Sequence, residues 1–378
     1  MNPLRIYFQR FLGDAMPLIP LSGLYFIHLG FTLPQISGLF LTYAICVAVL
    51  EIPTGYIADH TSHRSAMIAA KVTKFIAFIP WVFFPSYVSI AIGYMLWAFA
   101  SALDSGAFQS YLADATPEKD FEKIYGRSLT VSLIALILGA SSYLLVPTIG
   151  FTMLGIMGLG MLLGSILITL TLPVVPQHTL SEKRLFFAKI SFKDVFGLSS
   201  TTLIILILVG AFAGGIKGTL DEYSGLLLNS TTAILGVGLA MGFLELTKAF
   251  ATSFAHRVTL TLPAQKYILL FLALIFIVVG SLPFYFVLPL LALALLIDGV
   301  LWVHNDAAIQ RHAPRNLRAT VTSIRSLAGE IVAITFLSIV TFAPLKELSH
   351  IYVAGGIILV SGFILTILIK FVLEKRGE

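Results

Sequence analysis

An all-α integral membrane protein, with twelve spans in two similar halves, is what this sequence predicts, on three observations. Hydrophobic residues make up 58% of the 378 and charged ones only 11%, whereas a soluble domain carries roughly 25% charged residues. Apolar runs long enough to cross a bilayer, about 20 residues each, recur along the whole length. Loop sequences of the first half return in the second at a nearly constant offset of about 197–198 residues.

The spans are predicted near 4–28, 35–57, 66–84, 88–112, 128–147, 150–172, 199–220, 231–254, 266–283, 286–309, 320–342 and 351–373. Strands are set aside, because lipid-exposed backbone permits only helices or closed barrels, and runs this long and apolar are not barrel strands. Arg10 and Asp14 interrupt the first run, and no small-residue cleavage site follows. That stretch therefore reads as a span rather than a cleavable signal.

The loops give the orientation. Arg64, then Lys119, Lys123 and Arg127, then Lys183, Arg184, Lys189 and Lys193 fall on one side. Arg257, Lys266, Arg311, Arg315, Arg318, Lys375 and Arg376 fall on the same side, while the loops near 29–34, 85–87, 148–150 and 284–285 carry neither Lys nor Arg. This is the positive-inside pattern, so both termini are expected in the cytoplasm and the chain in the cell (inner) membrane. The pI of 9.2 has the same origin and does not indicate nucleic acid. Lys217 and Lys346 depart from the pattern, both beside acids. Cys46 is the only cysteine, which excludes an intramolecular disulfide and a cysteine metal cage.

The longest hydrophilic segment lies in the middle and is charged. It divides the chain into a six-helix bundle over 1–172, a linker over 173–198 and a second six-helix bundle over 199–378. Pro117 corresponds to Pro314, and Arg127-Ser128-Leu129 to Arg325-Ser326-Leu327. Laying Ala58-Asp59-His60 on Ala255-His256-Arg257 sets Glu51 opposite Lys248. Parallel halves related about the membrane normal are an architecture of transporters.

The stretch Leu50 to Arg64 carries the most specific pattern. Gly55-x-x-Ala58-Asp59 with Arg64 resembles the loop between helices 2 and 3 of the major facilitator superfamily. The preceding Glu51-Ile52-Pro53-Thr54-Gly55 looks like a variant among its bacterial small-molecule exporters. Ser62-His63 stands where that family usually has Gly-Arg. The family's helix-4 arginine would fall near Ala102 and is absent, and helix 5 has Gly139-Ala140-Ser141-Ser142 without the Gly-Pro of antiporters. The resemblance implies alternating access by rocking of two halves. It also implies a gate in which Gly55 permits a tight crossing, Asp59 meets helix 11 near Arg318–Ala319, and Arg64 pairs with an acid such as Asp114 or Glu118. By the same resemblance helices 1, 4, 7 and 10 line a central cavity, placing Asp14, Asp104 and Asp298 beside the substrate path.

Ionisable residues at mid-membrane depth are functional candidates by default. Asp14, Glu245, Asp298 and Glu330 lie near span centres, and Asp104 and Glu51 somewhat toward the basic side. Asp298 leads the list, since no basic residue lies within two turns on its own helix; a desolvated carboxylate of that kind could exchange a proton. Asp104 follows for the same reason, then Glu330, with Arg325 five residues away as a partner. Each also reads as a helix-to-helix ion pair. Asp14 has Arg10 at i,i+4, and Glu245 lies three residues from Lys248. Lys71 and Lys74 read as snorkelling anchors. Trp97 and Trp302 are candidates to face a cavity, where aromatic walls and carboxylates would suit an amphipathic cation.

The expected function is secondary active transport of a small amphipathic or cationic molecule, by proton-coupled export. The expected partners are that substrate, protons and the bilayer, with no cofactor and a monomeric chain. A polar or anionic metabolite held by Arg10 and Arg325 is the alternative, and a transition-metal transporter using Asp14, Asp104, Asp298 and a histidine is a further one. No metal-ligand spacing and no catalytic signature stands out, so neither a metal site nor an enzyme is expected.

Overall fold

The computed structural model describes residues 3–175, 201–229, 234–282, 286–313, 318–343, 345 and 347–375. Among these residues every regular element is helical. The first bundle contains α1 (Pro3–Asp14), α2 (Ser22–His28), α3 (Leu33–His60), α4 (His63–Phe83), α5 (Tyr87–Ala115), α6 (Glu118–Ser141) and α7 (Val146–Leu170). The second contains α8 (Thr201–Asn229), α9 (Ile234–Phe254), α10 (Leu262–Ser281), α11 (Val287–His312), α12 (Arg318–Phe342) and α13 (Leu348–Lys375). Twelve passes result, because α1 and α2 together make the first. The predicted linker lies outside the described residues beyond Val175.

Nine described stretches are long and apolar enough to span on length and composition, and one of them, Lys123–Leu170, runs through both α6 and α7. The passes left over are the broken first one and α9, which carries Glu245 and Lys248.

The single span expected over 4–28 is two helices. Pro17 and Pro20 fall between Asp14 and Ser22, and proline lacks the N–H that a continuing helix needs. Irregular backbone at membrane depth is tolerated where protein covers it. Ala15, Met16, Leu18 and Leu21 are accordingly no more than 3% exposed. The break has a consequence for packing: α1 lies against α6 and α7, whereas α2 lies against α8 in the other bundle. The Tyr25 hydroxyl donates to the Trp81 carbonyl, tying α2 to α4.

Polar side chains set several helix starts. Thr32 and Gln35 form a capping box at α3, and Ser86 with Ser89 does the same at α5. Ser62 accepts from the Ser65 N–H at α4. Such caps satisfy the otherwise unpaired first-turn N–H groups. Gly150, at φ +74°, supplies a left-handed turn inside the stretch assigned to α7, a conformation that glycine adopts without steric cost. Two helices are longer than their apolar runs: α6 starts ten residues earlier than the predicted span, and α8 runs on to Asn229 instead of ending near 220. In α8 the extension opens on Asp221 and Glu222, and Lys217 pairs with Asp221 at 2.9 Å along one face, so the charges sit inside the helix instead of ending it.

Within the first bundle α5 packs on α3 and α4, and α4 on α7; within the second α10 packs on α13, α8 on α12 and α13, and α9 on α11. The bundles meet through α3 against α12, α6 and the following Ser142–Leu145 turn against α9, and α2 against α8. Two cross-bundle hydrogen bonds lie near the face opposite the basic loops. Tyr223 donates to Ser37 at 2.6 Å, and Tyr143 to the Asn229 amide oxygen at 3.0 Å. On the same side Gly23 lets α2 approach the Glu222 carbonyl and Leu226, where an added Cβ would sit 3.2–3.3 Å away. The bundles are thus closed against each other at the face remote from the basic loops.

Candidate functional site

Between the bundles lies a cavity of about 360 Å³. The first bundle contributes Ile19 and Ser22 of the broken pass, Phe40, Tyr43 and Ala44 of α3, Trp81 of α4, and Tyr94 and Trp97 of α5. These rings form a connected wall: Tyr94 lies 4.8 Å from Trp81, 5.9 Å from Tyr43 and 6.3 Å from Phe40 between centroids. The second bundle presents a different surface. Gly210, Gly214, Gly215, Gly218, Thr219 and Glu222 come from α8, Trp302 from α11, and Arg325, Ser326, Gly329, Glu330, Ala333 and Leu337 from α12. All three tryptophans of the chain line the cavity, Trp97 and Trp302 as their span positions suggest.

Among the described residues, three charged side chains face this space. Glu222 is exposed into it, although it lies deep in the protein, one turn beyond Gly218 on α8. Glu330 lines the wall at mid-helix on α12, close enough to Glu51 of α3 for their charges to interact. Arg325 is 7% exposed. Its guanidinium lies 4.3 Å from the Trp302 ring centroid and 3.5 Å from Asp306 Oδ1, so its ionic partner is Asp306 rather than Glu330. The Arg325 Nε is buried without a hydrogen-bond partner. Tyr43 lies within electrostatic reach of both Glu222 and Glu330.

The cavity is elongated. Gly210 packs against Arg325 and Asn305, and twelve residues of α-helix separate it from Glu222, a rise of about 18 Å. Arg325 and Trp302 therefore mark the end nearer the basic loops, and Glu222 the end beneath the closed face.

The aspartates singled out in the sequence are placed elsewhere. Asp298 is 6% exposed and lies 3.7 Å from Lys217. Lys217 also holds Asp221 at 2.9 Å, and Lys248 bridges Asp221 at 3.2 Å and Glu245 at 2.7 Å. Asp104, 8% exposed, sits between Lys71 at 3.8 Å and Lys74 at 3.7 Å. Asp14 pairs with Arg10 at 2.7 Å and accepts from Ser132 at 2.5 Å, while Arg10 lies 5.1 Å from the Phe108 ring centroid. None of Asp14, Asp104, Asp298 and Arg10 is among the residues that form the cavity wall. A buried charge persists when it is paired; neighbouring helices supply the partners of Asp104 and Asp298, and Arg10 on its own helix supplies that of Asp14. The absence of a basic residue along Asp298's own helix could not reveal Lys217 on α8.

The two ion clusters echo one another. In each bundle the first pass carries a base and an acid at i,i+4, Arg10 with Asp14 and Lys217 with Asp221, and the fourth pass carries an aspartate, Asp104 or Asp298. Asp14, Asp104 and Asp298 are not brought together around one point, and among the described residues no group of three His, Cys, Asp or Glu could hold a metal ion.

At the expected gate, the surroundings of Gly55 and the side chains of Asp59, Glu118, Arg318 and Ala319 lie outside the described ones. Arg64 does not pair with Asp114. It donates to the Leu170 carbonyl at the end of α7, where a cation complements the helix dipole. Asp114 instead faces His63, with Nε2 to Oδ2 at 3.4 Å.

Glu222 was missed in the sequence because the apolar run ends before it. A signal was available: Gly210, Gly214, Gly218 and Glu222 recur every four residues, a bare stripe ending in a carboxylate.

The family model described as Major Facilitator Superfamily matches residues 6–337. An uncharacterized MFS-type transporter, YxaM, of Bacillus subtilis (strain 168) is 25% identical over 227 residues, covering 57% of this chain and 56% of that protein. The chain thus aligns with little more than half the length of that relative. In structure it is similar to the nucleoside transporter NupG (TM-score 0.75, 13% identity, 98% of this chain and 99% of that one). It is similar as well to the POT family transporter PepTSo (TM-score 0.75, 12% identity, 100% and 99%) and to a D-xylose-proton symporter (TM-score 0.73, 14% identity, 96% of each).

Proposed function

The chain belongs to the Major Facilitator Superfamily, and on that footing we propose that it exports a small amphipathic or cationic molecule in exchange for protons. It is a multi-pass transporter and not an enzyme. In our reading it sits in the cytoplasmic membrane as a monomer, with the basic loops and both termini in the cytoplasm. The bundles, 1–172 and 199–378, rock about the cavity while the segment between them follows.

The observation that carries the cationic reading is the charge of the cavity. Two carboxylates, Glu222 and Glu330, face it against one arginine that Asp306 and Trp302 already engage. An organic cation entering this space gains electrostatic attraction and cation–π contact with the aromatic wall. In this reading substrate and proton compete for Glu222 and Glu330. Asp298, Asp104, Asp14 and Arg10 serve as ion-pair partners that hold the helices behind them, and Gly55, Asp59 and Arg64 form the cytoplasmic gate once the cavity turns outward. A polar or anionic metabolite is the second reading, favoured by the unpartnered Nε of Arg325.

The test is transport into proteoliposomes across an imposed pH gradient, with a panel of organic cations, sugars, nucleosides and carboxylates. The expected result is gradient-driven flux of cations that Glu222→Gln abolishes. Flux that ignores the gradient, or a Glu222→Gln protein with parental rates, would overturn the coupling. Preference for anions lost in Arg325→Gln would install the second reading instead.

A further inference from the structure

Glycine within a helix is destabilising relative to alanine, so the four that α8 places on the cavity wall call for reasons, and two have them in packing. Gly210 is pressed by Asn305 and Arg325, and Gly215 by the Gly329 carbonyl, so that an added Cβ at either would lie 2.5 Å from its neighbour. At Gly214 a Cβ would make only an ordinary van der Waals contact, 3.4 Å from the Trp302 ring. Gly218 is the least crowded of the four, since a Cβ there would meet nothing within 4 Å. The residue lines the cavity, and its missing side chain leaves open space in front of bare backbone.

From Gly214 to Glu222 is two helical turns, about 12 Å. This strip has Trp302 at one end and the Glu222 carboxylate at the other, and the aromatic wall of the first bundle stands across from it. At the Trp302 end the Arg325 guanidinium stacks on that ring and pairs with Asp306, so the Glu222 end of the strip carries the charge left for a ligand. A bare helix face and aromatic rings on the walls of one cavity let a ring lie against either, and rings prefer offset-stacked neighbours.

We infer that the cavity is a slot for a planar, ring-bearing organic cation, lying on the Gly214–Gly218 face opposite Tyr43 and Trp97, with its basic nitrogen at Glu222. This rests on the cationic reading above and adds shape: two or three fused rings match the 12 Å strip, and a globular cation of equal charge does not. Gly218 is then a specificity determinant, since any side chain there occupies the place of the ring.

The probes are 9-aminoacridine, a flat three-ring cation, and 1-aminoadamantane, a globular one. Binding to the purified full chain is read by quenching of the three tryptophans, all on the cavity wall, and by competition between the amines. The expected result is saturable binding of 9-aminoacridine, with 1-aminoadamantane displacing it only at concentrations at least about tenfold higher. Gly218→Leu should weaken 9-aminoacridine at least about tenfold and Gly218→Ala less, both with the parent's melting temperature. Glu222→Gln should weaken both amines alike. If Gly218→Leu fails to fold, Gly218→Ala and Gly218→Ser carry the comparison. Equal affinity for the two amines, or glycine variants that bind as the parent does, would sink the slot while the effect of Glu222→Gln keeps the cationic reading alive. No saturable binding of either amine would remove both.

Discussion

Removing Lys217 should cost far more than neutralising Asp298, although the two form one ion pair. Lys217 lies 2.9 Å from Asp221 and 3.7 Å from Asp298. At an effective dielectric of about 20 these separations correspond to attractions of roughly 6 and roughly 4.5 kcal/mol before desolvation. The cluster holds two lysines, Lys217 and Lys248, against Asp221, Glu245 and Asp298. Its formal charge is −1, and Lys217→Met makes it −2. Breaking a buried pair from one side leaves an uncompensated charge and costs about 3–5 kcal/mol. Asp298→Asn instead brings the cluster to neutrality and relieves the repulsion between Asp298 and Asp221. The lost attraction is largely offset, and the expected cost is below about 1 kcal/mol. Detergent-solubilised proteins compared by thermal unfolding should show Lys217→Met melting on the order of 10 °C lower, and Asp298→Asn within about 3 °C of the parent. The double variant should recover part of the loss, because the orphaned aspartate is gone. Equal losses from the two single variants would refute this account of the cluster. An Asp298→Asn protein that melts normally but carries no gradient-driven flux would refute it more deeply, by returning Asp298 to the proton path.

Other outcomes follow from single contacts. Tyr223→Phe removes the 2.6 Å bond to Ser37, worth about 0.5–1.5 kcal/mol, and should loosen the closed face. Cysteine placed at Leu33, one turn before Ser37 on α3, in a Cys46→Ser background would then react faster with a membrane-impermeant maleimide, and an unchanged rate would count against that seal. Arg325→Lys keeps the charge but gives up the planar stacking on Trp302. It should lower the melting temperature and leave cation affinity nearly intact, whereas a large loss of cation binding would mean that the arginine contacts substrate. Cation affinity should fall as the medium is acidified, because protonation removes the charge of Glu222 and Glu330, and Glu222→Gln should flatten that dependence in a binding titration.

The architecture was legible because lipid imposes length and apolarity on every span, and because loops on one side keep their lysines and arginines. The motif from Gly55 to Arg64 and the repeat between Arg127-Ser128-Leu129 and Arg325-Ser326-Leu327 pointed to the family that the match over residues 6–337 shows. The interior of the site was harder to read. Glu330, Trp97 and Trp302 could be placed by their depth in a span, and all three line the cavity. Depth gives no information on which neighbour a side chain meets, so Lys217 beside Asp298 and Lys71 beside Asp104 were invisible. Hydropathy also ends a span where charges begin. It cut α8 near 220 and left Glu222 outside, although pairing of Lys217 with Asp221 lets the helix continue. The break at Pro17 and Pro20 was hidden in the same way, since the residues around it are as apolar as a helix would be.

Asp221, Glu222 and Tyr223 are consecutive, and each is engaged differently: with two lysines, with the cavity, and with Ser37 of the opposite bundle. Neighbours on a helix stand about 100° apart, so a twist of α8 that freed one of them would tear at the other two. The helix has no independent freedom to act as a lever. A rocking of the bundles, as proposed above, would carry α8 with its bundle as one piece and move its acid groups past the aromatic wall.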